Sequence, residues 1–202
     1  ALKNHARELD RAANYDDLTG LPNRQLLEER LEKARQHADR QQRPLSICYL
    51  DLDGFKTIND RFGHAAGDQA LQILSKRLTR ALRSGDIVAR MGGDEFVLLL
   101  QGDENHDAVY LRILEILGDP IELGERSVTV TASLGITRYP EDSADAEGLI
   151  RHADQAMFSA KEKGRNQFHF FDPGLDEFRR KRRKQLMEIS KALENEEFEL
   201  YF

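Results

Sequence analysis

The chain has 202 residues, of which 40% are hydrophobic and 33% are charged, and this suits one domain of ordinary size with a short appendage. The formal net charge of −6 argues against nucleic acid or an anionic membrane as a direct partner. No apolar stretch approaches the ~20 residues that span a bilayer. The single cysteine, Cys48, lies in an apolar run, so we expect a reduced core residue and a cytoplasmic protein. Any membrane anchor of the full-length protein would precede residue 1.

The first half of the chain predicts an alternation of helices and strands. Residues 1–14 are polar and charged, and they predict a connector helix. Gly63 and Gly67 are expected to separate two short helices, because glycine favours breaks between helical segments. The predicted elements up to that point are a helix capped by Asn23 and running to Gln42, a buried strand Leu45–Leu52, and the helices Phe55–Phe62 and Asp68–Arg83.

A β-hairpin is predicted in the middle of the chain, because two apolar runs flank a glycine-containing connection. The runs are Ile87–Arg90 and Phe96–Leu100, and the connection is Gly-Gly-Asp-Glu at residues 92–95. This order predicts an α+β fold, in which helices flank a mixed central sheet in a ferredoxin-like β-α-β-β-α-β pattern. The remaining predicted elements are a helix His106–Leu117, a strand Val128–Thr137, a helix Ala146–Lys163 and a strand Gln167–Phe171.

Two acidic pairs lie at predicted strand ends. Asp51 and Asp53 share one side of a strand, since side chains alternate and Leu52 points the other way. Asp94 and Glu95 occupy the hairpin tip. Each pair alone is more typical of a surface turn, but two pairs at strand ends favour a magnesium site, because hard carboxylate oxygens beside phosphate hold this ion.

Two further pairs of residues can each be interpreted in two ways. Lys161 and Arg165 are spaced to share one face of a helix or to lie just past its end, where they could meet phosphate or simply favour a helix C-terminus. Asn59 and Asp68 offer the acceptors and donors that guanine requires. From residue chemistry alone, we interpret Asn59 and Asp68 as ordinary polar surface.

Several motifs, taken together, resemble those of the GGDEF-type diguanylate cyclases. The signature is Arg-Met-Gly-Gly-Asp-Glu-Phe at residues 90–96, and the resemblance covers Tyr15 to Phe171, so we expect the domain at residues 15–172. Its other motifs are Asp-Leu-Thr-Gly-Leu-Pro-Asn-Arg at 17–24, Asp-Leu-Asp-Gly-Phe-Lys-Thr-Ile-Asn-Asp at 51–60, Phe-Gly-His-Ala-Ala-Gly-Asp at 62–68 and Lys-Glu-Lys-Gly-Arg-Asn at 161–166.

The resemblance implies a nucleotidyl-cyclase palm fold and assigns roles to the residues in these motifs. The metal ligands would be Asp51, the Leu52 carbonyl, Asp94 and Glu95, with two Mg²⁺ (or Mn²⁺) ions in each active site. Asp51, Asp94 and Glu95 would be the catalytic residues. The GTP-binding residues would be Phe55, Lys56, Asn59, Asp68, Gly92, Gly93, Lys161 and Arg165.

The resemblance also implies an activity and its control. The domain would condense two GTP into cyclic di-GMP and two pyrophosphates across a homodimer. Arg83 and Asp86 match an inhibitory Arg-x-x-Asp motif for the product, with Arg112 as a candidate third residue. Chemistry alone favours a simpler interpretation, in which Arg83 ends its helix and Asp86 starts the next turn. The spacing of the motif before Gly92 favours the product site.

Residues 173–202 have a different character. Their pattern predicts a linker helix and then the start of a cyclic di-GMP phosphodiesterase domain of EAL type. The main alternative function is therefore a GTP-binding module that regulates a downstream phosphodiesterase. A receptor for cyclic di-GMP and a cyclase for another nucleotide are the remaining alternatives.

Overall fold

The computed structural model describes residues 11–102, 106–124 and 126–174. Residues 11–14, the part of the predicted connector helix that is described, are helical and precede the first complete helix. The elements are α1 (Arg24–Gln41), β1 (Leu45–Asp53), α2 (Phe55–Phe62), α3 (His64–Ala81), β2 (Ile87–Gly92), β3 (Glu95–Gln101), α4 (His106–Gly118), β4 (Ile121–Leu123), β5 (Arg126–Val128), β6 (Thr131–Tyr139), α5 (Ala146–Glu162) and β7 (Gln167–Phe170).

Among the described residues, the main sheet has five strands in the order β2-β3-β1-β6-β7. Strand β1 lies at the centre and runs antiparallel to both β3 and β6, whereas β6 and β7 are parallel. The sheet is therefore mixed and the fold is α+β, as the sequence predicts. The hairpin of β2 and β3 is also confirmed.

The side chains of β1 alternate between two hydrophobic cores, one on each face of the sheet. Ile47 and Tyr49 pack with residues of α1 and α5. Cys48 and Leu50 point to the opposite face, towards α3 and α4. Cys48 is fully buried, as predicted. Asp51 follows Ile47 and Tyr49 in this alternation, so its side chain lies on the face that α5 covers.

Two predicted boundaries differ from the structure by more than two residues. Helix α3 begins at His64 rather than Asp68, because Gly63 (φ 84°) makes the break and Gly67 lies inside the helix. A Cβ atom at Gly67 would lie 1.9 Å from Asn59 Oδ1, so this glycine serves the close approach of α2 and α3.

The strand predicted at Val128–Thr137 is in fact two strands. Its start belongs to β5, which pairs with β4 in a separate hairpin, and β6 begins only at Thr131. Gly124, at φ 68°, lies in the turn of this extra hairpin. Apolar alternation continues across the boundary, so the pattern alone did not reveal the break.

The chain divides into two compact units, Ala1–Phe170 and Phe171–Phe202. All the elements named above belong to the first unit. Most of the predicted linker helix and phosphodiesterase start, at residues 175–202, lies outside the described residues. No helix in the described ranges combines the length and the apolar character needed to cross a membrane.

Gly135 generates a stability prediction, because it brings the backbones of β6 and α5 into direct contact. A Cβ atom there would lie 2.0 Å from both the Ala153 carbonyl oxygen and the Met157 backbone nitrogen. We expect Gly135→Ala to lower the free energy of unfolding by about 3 kcal/mol, because the clash forces the helix off the sheet. Urea denaturation measures the change.

The matched control is Gly118→Ala, at the end of α4, where no heavy atom lies within 4 Å of the added Cβ. This variant should be as stable as the wild type or slightly more so. Equal losses of stability in the two variants would contradict the role given to Gly135.

Candidate active site

The two acidic pairs lie side by side at the end of β1. Asp51 is opposite Glu95 in the β1–β3 register. The Leu52 backbone N–H donates to the Asp94 carbonyl oxygen at 3.2 Å, which links the strand end directly to the hairpin tip. The structure therefore brings together the four residues that the sequence proposes as metal ligands.

Asp51 is a buried carboxylate, only 8% exposed. Burial raises its pKa, the bond from Lys161 opposes this effect, and the nearby charges of Asp94 and Asp53 add to the rise. Lys161 Nζ lies 2.7 Å from Asp51 Oδ2 and supplies the compensating charge. A site of this kind favours a bound cation.

The donor set fits magnesium rather than an ion enclosed entirely by protein side chains. In the described parts of the chain, no three His, Cys, Asp or Glu side chains are arranged to hold a metal by themselves. Magnesium, however, is usually held by one or two carboxylates while substrate phosphates and water complete its shell. Asp51 and Asp94, with the Leu52 carbonyl, match that requirement.

Glu95 is held by a residue that sequence reasoning missed. The Tyr49 hydroxyl donates to Glu95 Oε2 at 2.9 Å. Burial raises the pKa of Tyr49, and the bond to Glu95 raises it further, so the phenol stays protonated and remains a donor. The sequence does contain a signal for this role of Tyr49, because the residue precedes Asp51 by two positions and therefore lies on the same face of β1.

A second missed contact fixes the hairpin tip. Arg90 Nη1 donates to both carboxylate oxygens of Asp16, at 3.0 and 3.1 Å, and its Nε and Nη2 donate to the Gly93 carbonyl. Gly92 and Gly93 have φ angles of 143° and 51°, which residues with a Cβ rarely adopt. Arg90 therefore ties the glycine turn to the segment before α1.

The proposed base-reading residues lie on neighbouring helices. Asn59 on α2 faces Gly67 of α3 closely, and Asp68 follows Gly67 directly. Asp68 is exposed and thus accessible to a ligand. At the start of α2, Phe55 is 5% exposed and packs in the core, whereas Lys56 points to solvent.

Besides Lys56, two cations are proposed to bind phosphate: Lys161 lies in the last turn of α5, and Arg165 lies just past its end. Lys161 is paired with Asp51, as described above. The Arg165 side chain is 63% exposed, and its Nε is 4.0 Å from Asp53 Oδ1. Both cations therefore face the acidic end of β1.

The proposed product site presents arginines beside a tight turn. Asp86 accepts from the backbone N–H groups of Arg83 and Gln101, each at 3.1 Å, so it shapes the turn itself. Arg83 lines a cavity of about 490 Å³ together with Arg77, Arg80 and Arg112. The structure thus places Arg112 beside Arg83.

Comparison with known proteins identifies the family. The family described as "Diguanylate cyclase, GGDEF domain" matches residues 13–167. The fold described above is the nucleotidyl-cyclase palm of that family, and the chain belongs to the GGDEF diguanylate cyclase family.

Three relatives illustrate the similarity. MucR of Pseudomonas aeruginosa, a "bifunctional diguanylate cyclase/cyclic di-GMP phosphodiesterase", is 39% identical over 97% of this chain and 29% of its own length. The solved GGDEF domain of TpbB from the same organism is 39% identical, with a TM-score of 0.74 over 78% of this chain and 94% of that one. The solved coiled coil and GGDEF domain of DgcB from Caulobacter crescentus, "in complex with c-di-GMP", is 25% identical, with a TM-score of 0.74 over 84% of this chain and 91% of that one.

The chain spans less than a third of the length of MucR. Curated full-length TpbB is named a diguanylate cyclase, and the chain spans 39% of it. The region that matches the family model, residues 13–167, includes every site residue described above.

The Asp16–Arg90 contact generates a pH-dependent prediction. Burial would raise the pKa of Asp16, but hydrogen bonds from Thr19 and Arg90 outweigh it and lower the pKa below the usual 3.8. We expect Asp16→Asn to cost about 2 kcal/mol of unfolding free energy at neutral pH, since it removes a charge-assisted bond.

The sign of the pH effect follows from the lowered pKa. The stabilisation by Asp16 is complete above pH 3.8 and is lost as the pH falls through the lower pKa of the folded state. Denaturant titrations at pH 7 and pH 2.5 measure the loss of unfolding free energy in Asp16→Asn. The control is Asp17→Asn, a variant of the exposed neighbouring residue. An unchanged cost at low pH, or an equal cost for Asp17→Asn, would refute the assignment.

Proposed function

We propose that this domain is an active diguanylate cyclase, which converts two molecules of GTP into cyclic di-GMP and two pyrophosphates. The observation that carries the proposal is the buried Asp51 carboxylate beside the Asp94 hairpin tip, with Lys161 and Arg165 at the same edge. A polyphosphate bound there would meet both a metal site and two cations. Membership of the family supports this reading.

Asp51, the Leu52 carbonyl, Asp94 and Glu95 would hold two Mg²⁺ or Mn²⁺ ions. Bound metal supplies the charge that lowers the pKa of a 3′-hydroxyl and stabilises the α-phosphate and the leaving pyrophosphate. Tyr49 orients Glu95 for this role through its hydroxyl bond. Arg90 holds the carbonyl of Gly93 and so keeps the hairpin tip in place against β1.

The chain's own residues would bind and orient GTP. Asn59 and Asp68 read the guanine base, since an amide and a carboxylate can pair with its acceptors and its N1 and N2 hydrogens. Lys161 and Arg165 bind the outer phosphates. Phe55, Lys56 and the glycines Gly92 and Gly93 line the remainder of the nucleotide site.

A homodimer is part of the proposal. The product is two-fold symmetric, so each domain needs to present only one GTP, and two domains must face each other for both bonds to form. The enzyme's partner is therefore a second copy of itself. We place it in the cytoplasm, where its substrate GTP is made.

The alternative is a GTP-binding module that regulates a phosphodiesterase domain. It is favoured by the similarity to MucR, a bifunctional protein in which this chain covers only 29% of the length. The two functions differ in one observable, because the regulatory module binds GTP without releasing pyrophosphate.

The proposed activity generates a prediction about turnover. The purified chain, freed of bound cyclic di-GMP, should release pyrophosphate and cyclic di-GMP together from GTP and magnesium, with specific activity that falls on dilution. Asp94→Ala should reduce both products at least 100-fold, because a metal ligand is lost. Coupled pyrophosphate detection and chromatography of the nucleotide measure the two products.

The control is Glu115→Ala, which removes an exposed carboxylate on α4 and should leave turnover unchanged. GTP binding by the wild type without either product would reject the cyclase in favour of the regulatory module. Specific activity that is independent of dilution would reject the dimer.

A second proposal is product inhibition at Arg83. Arginine can donate to guanine O6 and N7 in a fork, and Arg83 shares its cavity with Arg112. We expect Arg83→Ala to raise the cyclic di-GMP concentration for half-inhibition at least tenfold, with the uninhibited rate preserved. Initial rates at increasing product concentration measure the change.

Arg40→Ala, at an exposed position in the last turn of α1, is the matched control and should be inhibited like the wild type. Inhibition of Arg83→Ala at wild-type product concentrations would remove this site from the proposal.

A further inference from the structure

Asp53 is a nearly inaccessible carboxylate at the active-site edge, and both of its oxygens accept hydrogen bonds from distant parts of this chain. Its side chain is 5% exposed. Oδ1 accepts from the Ser133 hydroxyl at 2.7 Å, and Oδ2 accepts from the Thr131 hydroxyl at 2.9 Å. The backbone N–H of Asn166 also donates to Oδ2, at 3.1 Å. Both oxygens are therefore occupied by donors from β6 and from the loop after α5.

That loop has an unfavourable backbone geometry. Arg165 and Asn166 are consecutive residues with φ angles of 62° and 47°. The left-handed region is disfavoured for side chains with a Cβ, and two such residues in succession need support from their surroundings. The Arg165 backbone N–H bonds to the Ala160 carbonyl, and Asp53 provides the bond to Asn166.

The same loop carries the arginine proposed to bind phosphate. Arg165 Nε is 4.0 Å from Asp53 Oδ1, too far for a hydrogen bond, and the side chain remains 63% exposed. A carboxylate close to a triphosphate would normally repel it. Here the carboxylate is already satisfied by three donors, so its effect on the nucleotide acts through the loop that it anchors.

We propose that Asp53 is a positioning residue of the triphosphate site: it holds the left-handed backbone at Arg165 and Asn166, so that Arg165 faces the outer phosphates. Asp53 itself contacts neither metal nor substrate. The inference rests on the proposed function, because it assumes that GTP binds at this edge. It separates the roles of Asp51 and Asp53, which the strand pattern places on the same side.

The test compares two ligands that share the base and differ in the phosphates and in the 3′-hydroxyl, with each variant compared with the wild type for the same ligand. One is 3′-deoxyguanosine triphosphate with magnesium, which cannot react because it lacks the nucleophile, and the other is guanosine. Calorimetry measures the affinity of both for the wild type, Asp53→Asn, Arg165→Ala and the double variant. Glu115→Gln, at an exposed position on α4, is the control for the same exchange of a carboxylate for an amide.

We expect Asp53→Asn to weaken binding of the triphosphate about tenfold. The amide has one acceptor oxygen instead of two and carries no charge, so the bonds from Ser133, Thr131 and the Asn166 N–H cannot all be kept at full strength. Guanosine affinity should stay within twofold of the wild type. The double variant should bind no more weakly than Arg165→Ala, because residues that act through one another are not additive.

Equal losses for both ligands, or additive losses in the double variant, would overturn the inference and leave Asp53 a general stability residue. If the wild type binds 3′-deoxyguanosine triphosphate no better than guanosine, the proposed function fails and the inference fails with it. Wild-type triphosphate binding with an unaffected Asp53→Asn overturns the inference alone.

Asp53→Asn could lose its fold, so a milder variant addresses the same contact. Thr131→Val removes one donor to Oδ2 at nearly constant volume and leaves the carboxylate in place. We expect about a threefold loss of triphosphate affinity with guanosine binding retained, and an unchanged ratio of the two affinities in this folded variant would contradict the proposal.

Discussion

The active-site edge depends on the burial of two carboxylates at the end of one strand. Asp51 and Asp53 leave β1 on the face that α5 covers, and each lies almost entirely out of water. A buried charge is costly unless it is paired or bonded. Asp51 is compensated by Lys161 on α5. Asp53 is compensated by hydrogen-bond donors from β6 and from the loop after α5. These two requirements join β1, α5 and β6 at one place.

The neighbouring contacts make that arrangement possible. Gly135 has no side chain, so α5 lies directly on β6, and Lys161 then reaches Asp51 from the last turn of the helix. From the other side of β1, Arg90 ties the hairpin tip to Asp16. The acidic strand end is thus held between a helix and a hairpin, each fixed by contacts outside the site.

The sequence predicted the elements whose signal is local. Strand β1 is a mostly apolar run, and the hairpin is marked by Gly92 and Gly93, so the predicted ends of both lie within two residues of the observed ones. The predicted start of helix α3 was too late. A glycine can mark either a break in a helix or a close approach between elements, and Gly67 marks a close approach. The hairpin of β4 and β5 was missed because its strands have only three residues each.

The candidate site was predictable in its residues but not in its contacts. Alternation showed that Asp51 and Asp53 share a face, yet it could not show that their partners differ. The hydroxyl partners of Asp53 lie about 80 residues away along the chain, and no periodicity encodes such a pairing. Lys161 is committed to Asp51 in the structure and is also a proposed phosphate ligand. A metal ion that neutralised the Asp51 carboxylate would free the Lys161 ammonium at the edge where the outer phosphates would lie. Nucleotide binding and metal binding should therefore favour each other.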